Sequence, residues 1–144
     1  MIKFSRREDY AIILVNKLAQ VYNKKLISLT EIASEYAISL FFLRNLANAL
    51  RKAGLIQATE GKNGGYTLSK DPKKIKMGEI LSIFSEKQNL TCCSHNEKHA
   101  RTCPQQKNCI AGNTWRQLNK EFIDKVYSLS LSEFIAYEST SNAQ

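Results

Sequence analysis

A chain of 144 residues can build one domain with a proper core but not two large ones. Its 43% hydrophobic and 24% charged residues are those of an ordinary globular protein, and no apolar run approaches the roughly 20 residues that span a bilayer. The net charge of +8 is lopsided: residues 1–80 carry 14 Lys/Arg against 7 Asp/Glu, whereas residues 81–144 carry 7 against 6. Any field that meets a polyanion therefore belongs to the N-terminal part, the alternative being a well-solvated basic surface.

The opening MIKFSRREDYAIILV has basic residues but only a short apolar patch, cut off from them by Glu8 and Asp9. It does not read as a signal peptide, so a cytoplasmic location with reduced thiols is expected, and no membrane partner. Ser-x-x-Glu boxes at Ser5…Glu8, Ser28…Glu31 and Ser130…Glu133 mark helix starts, because the serine can accept from a free backbone N–H while the glutamate reaches back. After the first box, Tyr10, Ile13, Leu14, Leu18 and Val21 repeat at helical spacing to about Asn23. The second box opens a short helix, TEIASEYA. A break at Ile38-Ser39 follows, with Ser39 placed to cap a third helix, LFFLRNLANALRKAG. Leu43, Leu46, Leu50 and Phe42 are its expected inner face, and Gly54 its C-terminal stop.

Two helices joined by a tight break fit a helix-turn-helix. Leu55 to Thr59 then alternates like a strand, Glu60-Gly61-Lys62-Asn63-Gly64-Gly65 is a turn-rich tip, and Tyr66-Thr67-Leu68 returns. A hairpin in that place is a wing, whose glycine-rich, Lys-bearing tip can approach a phosphate backbone. After Asp71-Pro72 a short helix begins near Met77. Farther on, Trp115, Leu118, Phe122, Val126 and Leu129 form one helical stripe, with Trp115, Phe122 and Leu129 spaced by seven. No helix of matching length is left in the chain to cover it. The same helix of a second copy is the expected partner, with packing back on its own domain as the alternative. The closing SEFIAYE helix and the polar tail carry no chemical signal.

All four cysteines, Cys92, Cys93, Cys103 and Cys109, lie within 18 residues, together with both histidines, His95 and His99. Reduced thiols argue against a disulfide knot. A metal site or a thiol switch remains. Zinc could use one of Cys92 or Cys93, one histidine, Cys103 and Cys109, although the compact Cys-x2-Cys knuckle is absent. A metal-free thiol sensor would oxidise Cys92 or Cys93 onto Cys103. No Ser/His/Asp or paired-carboxylate constellation is present, so an enzyme is not expected.

With Asp9-Tyr10-Ala11, Ile38-Ser39-Leu40, Leu50-Arg51-Lys52-Ala53-Gly54-Leu55, Gly64-Gly65-Tyr66, Gly78-Glu79-Ile80, and Cys103…Cys109 six residues before Trp115, the chain resembles the iron–sulfur winged-helix transcription regulators (IscR/NsrR-like). The resemblance spans nearly the whole chain. It implies a mainly α fold with a small β-hairpin wing: a winged helix-turn-helix over 1–85, a cysteine-rich cluster-binding loop over 86–112, and a dimerisation helix with its tail over 113–144. It also implies a homodimer that binds a double-stranded DNA operator, as a repressor, and senses iron–sulfur status, nitric oxide or redox stress through a 2Fe–2S or 4Fe–4S cluster. Thiolates suit iron in such clusters, and a weaker fourth ligand leaves one iron open to attack.

Carried over by position, Cys103 and Cys109 match the second and third cluster ligands, and Cys92 or Cys93 the first. The gap to Cys103 is nine or ten residues, longer than the family's usual five or so. The IscR-like fourth position falls on Gly112, which cannot ligate; the NsrR-like one falls on Asp9, which can, and would reach the partner subunit's cluster. His95 and His99 are the other candidates for that ligand, and Asp9 can equally be a first-turn carboxylate favoured by the helix dipole. On DNA the recognition helix would present Ser39, Phe41, Phe42, Arg44, Asn45 and Asn48. Arg44 is best suited to pair with guanine, and Phe41 either meets thymine methyls or joins the core. Lys62 of the wing is the phosphate or minor-groove candidate, with Glu60 beside it working against minor-groove entry.

Overall fold

The computed structural model describes residues 5–84 and 108–141, with side chains described as far as residue 137. Helix α1 (Arg6–Gln20) starts at a complete capping box. Ser5 Oγ accepts from the Glu8 N–H and the Glu8 carboxylate accepts from the Ser5 N–H. It buries Ala11, Leu14, Val15 and Leu18, the i, i+3, i+4, i+7 set of one face. The helix stops three residues before the expected end, and Asn23 takes a left-handed φ of 59° in the turn that follows. Helix α2 (Leu29–Tyr36) is capped by Ser28, whose Oγ accepts from the Glu31 N–H at 3.1 Å.

Ala37 ends α2 in the left-handed region at φ 52°, a conformation that disfavours a side chain. It turns the chain so that Ile38 is buried and α3 (Leu40–Lys52) starts at Ser39. Ser39 holds the N-cap position but makes no side-chain cap bond, contrary to expectation. Helix α3 buries Leu43, Leu46, Ala47 and Leu50, and Gly54 follows it at φ 76°, where a residue without a Cβ is favoured. Phe42 sits half-buried, edge-on to Tyr10 of α1 with ring centroids 5.6 Å apart.

Strands β1 (Ile56–Thr59) and β2 (Gly65–Leu68) pair antiparallel, Ile56 opposite Leu68 and Thr59 opposite Gly65. The hairpin is tied back to the α1–α2 connection by two bonds between Ile27 and Tyr66, at 2.8 and 3.2 Å. That approach is close: a Cβ on Gly65 would stand 2.8 Å from the Ile27 carbonyl oxygen. A 3₁₀ turn (Pro72–Lys74), capped by Asp71, leads into α4 (Met77–Phe84).

Helices α5 (Ile110–Ser128) and α6 (Leu131–Ser141) complete the described elements. The α5–α6 joint is sewn to the winged part. The Met77 N–H donates to the Leu129 carbonyl and the Leu131 N–H to the Ile75 carbonyl, each at 2.8 Å. Leu131 is fully buried in the same core as α1 to α4, and Phe134 and Ile135 pack against that core. The closing helix, silent in the sequence, is thus a wall of the winged unit. Helix α5 buries Gly112, Asn119 and Ile123 but leaves Trp115, Leu118 and Phe122 between 42% and 47% exposed. Among the described residues no helix is long and apolar enough to cross a membrane.

Candidate nucleic-acid interface and sensor segment

Because Leu43, Leu46, Ala47 and Leu50 hold one face of α3 in the core, the other face is fixed by helical period. Phe41, Arg44, Asn45 and Asn48 stand exposed along it, with Ser39 at its start and Arg51 and Lys52 at its end. The two readings of Phe41 are separated here: it is 73% exposed, while Phe42 turns inward. The uncapped Ser39 hydroxyl at the helix start has the chemistry of a phosphate contact.

Lys62 is exposed on the wing tip beside exposed Glu60. The tip is tight, since a Cβ on Gly64 would overlap the Thr59 carbonyl oxygen. Among the described residues, ion pairs engage Lys17 with Glu35 (2.6 Å), Lys25 with Glu31 (3.2 Å) and Lys70 with Glu79 (2.8 Å). The Glu35 carboxylate raises the Lys17 ammonium above its usual range, and the bond from Lys70 holds Glu79 below the usual carboxylate range. Arg44, Arg51, Lys52 and Lys62 make no described ion pair, which leaves their charge available to a polyanion.

The sensor candidates divide. Cys92, Cys93 and Cys103, with His95 and His99, lie outside the described residues. Cys109 is a free, half-buried thiol at the N-cap of α5, and its Sγ accepts from the Gly112 N–H at 3.1 Å. The same contact accounts for Gly112, because a Cβ there would stand 3.2 Å from that sulfur. Asp9 is exposed in the first turn of α1 and lines a cleft of about 360 Å³ with Ile12, Ile13, Met77, Leu81, Val126 and Phe134. Among the described residues there is no cluster of three or more groups able to hold a metal ion, and Cys109 and Asp9 are the only proposed ligands described.

Two features escaped the sequence reading. The Arg7 guanidinium lies 5.8 Å from the centre of the Phe84 ring, pinning the start of α1 to the end of α4. The cleft beside Asp9 is the other. It is assembled from four helices distant in sequence, so no local pattern announces it.

Residues 4–137 match the Rrf2 family, described as an iron-dependent transcriptional regulator. The HTH-type transcriptional regulator IscR of Pectobacterium atrosepticum is 27% identical over 134 residues, spanning 93% of this chain and 79% of that protein. Among solved structures, CymR, the global cysteine regulator of B. subtilis, superposes with a TM-score of 0.75 at 24% identity, covering 95% of this chain and 98% of that one. The oxidized form of Staphylococcus aureus CymR gives 0.70 at 27% identity, covering 92% and 95%.

Proposed function

Because the chain belongs to the Rrf2 family of DNA-binding transcriptional regulators, we propose that it is a homodimeric repressor that senses iron–sulfur status, nitric oxide or redox stress through an iron–sulfur cluster. The observation that carries the proposal is the position of Cys109. It caps the helix that bears the exposed Trp115–Phe122 stripe, so a ligand bond at its sulfur acts directly on the dimerisation element. Cys103, Cys109 and one of Cys92 or Cys93 would hold the cluster, and Asp9 would supply the fourth ligand across the dimer. A three-thiolate, one-oxygen donor set fits cluster iron. When bound, the cluster supplies a redox- and ligand-sensitive tie. The rest is done by this chain: α3 enters the major groove, Arg44 reads a base, Phe41, Asn45 and Asn48 flank it, and Ser39 and Lys62 hold phosphates.

Anaerobic purification followed by an absorption spectrum with iron and sulfide assay tests the sensor. Coloured protein with matching iron and sulfide is expected, and colourless protein with stoichiometric zinc would overturn it. A second reading is favoured by the free thiol of Cys109 and by the likeness to a CymR solved in an oxidized form: a metal-free regulator switched by oxidation of its cysteines. It predicts colourless, metal-free protein whose operator affinity changes on treatment with peroxide and returns with a thiol reductant.

A further inference from the structure

One large apolar side chain of α3 has no place in the core. Phe41 is 73% exposed. At about 100° per residue it lies about 160–180° around the helix from the buried Leu43 and Leu50, so its ring is directed away from them. Its neighbours Leu40 and Phe42 are half-buried, Phe42 edge-on to Tyr10. Arg44 follows Phe41 by three residues, on the same side of the helix and about 4.5 Å farther along its axis. Neither Asp nor Glu occurs in α3, whose sequence is LFFLRNLANALRK.

A phenyl ring neither donates nor accepts a conventional hydrogen bond, so phosphate oxygens and the polar edges of bases offer it little. The base edges of the major groove present one apolar group to such a ring, the C5-methyl of a pyrimidine. Thymine carries it, and so does 5-methylcytosine, whereas uracil and cytosine do not. Cytosine is normally read through its N4 amine by a carboxylate, and α3 has none to offer.

We propose that Phe41 forms a site for the C5-methyl group of a pyrimidine, in the base pair next to the guanine taken by Arg44. Thymine or 5-methylcytosine then binds well at that position, and uracil or unmethylated cytosine binds poorly. This rests on the reading of α3 as the groove helix. Phe41 and Arg44 are the second and fifth residues of that helix, within the N-terminal part that meets base edges in a helix-turn-helix. Bases along a strand are about 3.4 Å apart, so an axial offset of about 4.5 Å sets the ring and the guanidinium over neighbouring pairs. Burying the ring against a methyl group removes apolar surface of both from water, a gain that free Phe41 does not have. The consequence concerns regulation. Where an operator has cytosine at this position, methylation of its C5 strengthens binding, and the modification state of the DNA becomes a second input beside the sensor.

The test uses the full-length protein, prepared anaerobically, and an operator selected with it from random duplexes. Each thymine of a half-site, on either strand, is replaced in turn by uracil, which removes only the methyl group. Cytosine and 5-methylcytosine, paired with guanine, are placed at the same positions. Affinities at one fixed salt concentration are compared for wild type, Phe41→Ala and Phe41→Leu, with far-UV circular dichroism confirming the fold. One thymine beside a G·C pair is expected at which uracil weakens binding about fourfold, the transfer value of roughly one methyl group. At that position 5-methylcytosine should bind tighter than cytosine by a similar factor. Phe41→Ala should erase both differences while keeping the preference for the neighbouring guanine, and Phe41→Leu should keep part of each. Three results, each with sequence-specific binding intact, would overturn the methyl site and leave α3 as the groove helix. They are uracil equal to thymine at every position, 5-methylcytosine no better than cytosine, and methyl effects that survive in Phe41→Ala. Binding without any sequence preference would overturn both.

Discussion

Gly78 of α4 lies directly beneath the ring of Tyr127 of α5: a Cβ added to the glycine would stand 2.8 Å from Cδ1 and 3.1 Å from Cγ and Cβ of the tyrosine. Helix α5 can approach the winged unit this closely only because that position has no side chain. Tyr127 is partly buried there, and burial, with the Glu8 carboxylate nearby, raises its phenol above the usual range. Gly78→Ala gains about 1 kcal/mol of helix propensity but overpacks a contact with the ring body, which typically costs about 1–3 kcal/mol. A net loss of stability is expected in urea unfolding, and Tyr127→Ala in the same chain should remove the alanine's penalty. A Gly78→Ala variant as stable as wild type would show that α5 can slide away at no cost.

Stability should fall on acidification through a named pair. The bond from Lys70 holds Glu79 below the ordinary carboxylate value of 4.5, helped by the Lys76 N–H. A carboxyl with a depressed folded value adds stability that is fully present above pH 4.5 and is lost as pH falls through the folded value. Unfolding midpoints at pH 6 and at successive values below 4.5 should separate wild type from Glu79→Gln at the higher pH and bring them together at the lower. Glu133, depressed by its bonds from Ser130, contributes in the same direction.

Arg44→Ala should cost about 1–3 kcal/mol at the specific operator and relax preference at one base position, since a bidentate arginine–guanine pair discriminates by that much. Binding measured against a set of operators with single base changes checks it. Unchanged preference would remove Arg44 from the reading set.

Lys62→Ala should weaken binding to all sequences alike and reduce the slope of log affinity against log salt by about 1, if its contact is to one phosphate. Titrations at several salt concentrations measure the slope directly. A changed base preference would instead make Lys62 a groove reader.

Cys103→Ala and Cys109→Ala should each abolish the visible chromophore of anaerobically prepared protein, whereas Cys92→Ala and Cys93→Ala should differ from each other, because only one of two adjacent thiolates can be well aimed. Asp9→Ala should keep the colour but make it more labile, and should shrink the difference in operator affinity between holo and apo protein. An equal holo-to-apo ratio in wild type and mutant, titrated at one fixed salt, would leave Asp9 as a helix-start carboxylate.

What the amino-acid order determined by itself was local. The reciprocal bonds at Ser5–Glu8 and Ser130–Glu133 are made within one turn of chain, so the boxes mark α1 and α6 in any context. The left-handed Gly54 and the tight tip at Gly64 are local in the same way, and with them the winged helix-turn-helix was legible. Of the candidate site, the outward row from Phe41 to Asn48 follows from helical period once the inner leucines are recognised. The sequence put Phe42 on the inner face and left Phe41 open between thymine methyls and the core; at about 100° per residue Phe41 falls opposite the inner leucines, and it is exposed. Tyr10, reached across the fold, drew Phe42 inward. Nor could the polar, weakly patterned SEFIAYE segment announce that Leu131 would be wholly buried. That burial depends on backbone bonds from Met77 to Leu129 and from Leu131 to Ile75, more than fifty residues apart in the chain. The cleft beside Asp9 likewise exists only where α1, α4, α5 and α6 meet. A sequence pattern specifies which face of an element is apolar; which other element covers it is decided by shape and backbone pairing at long range.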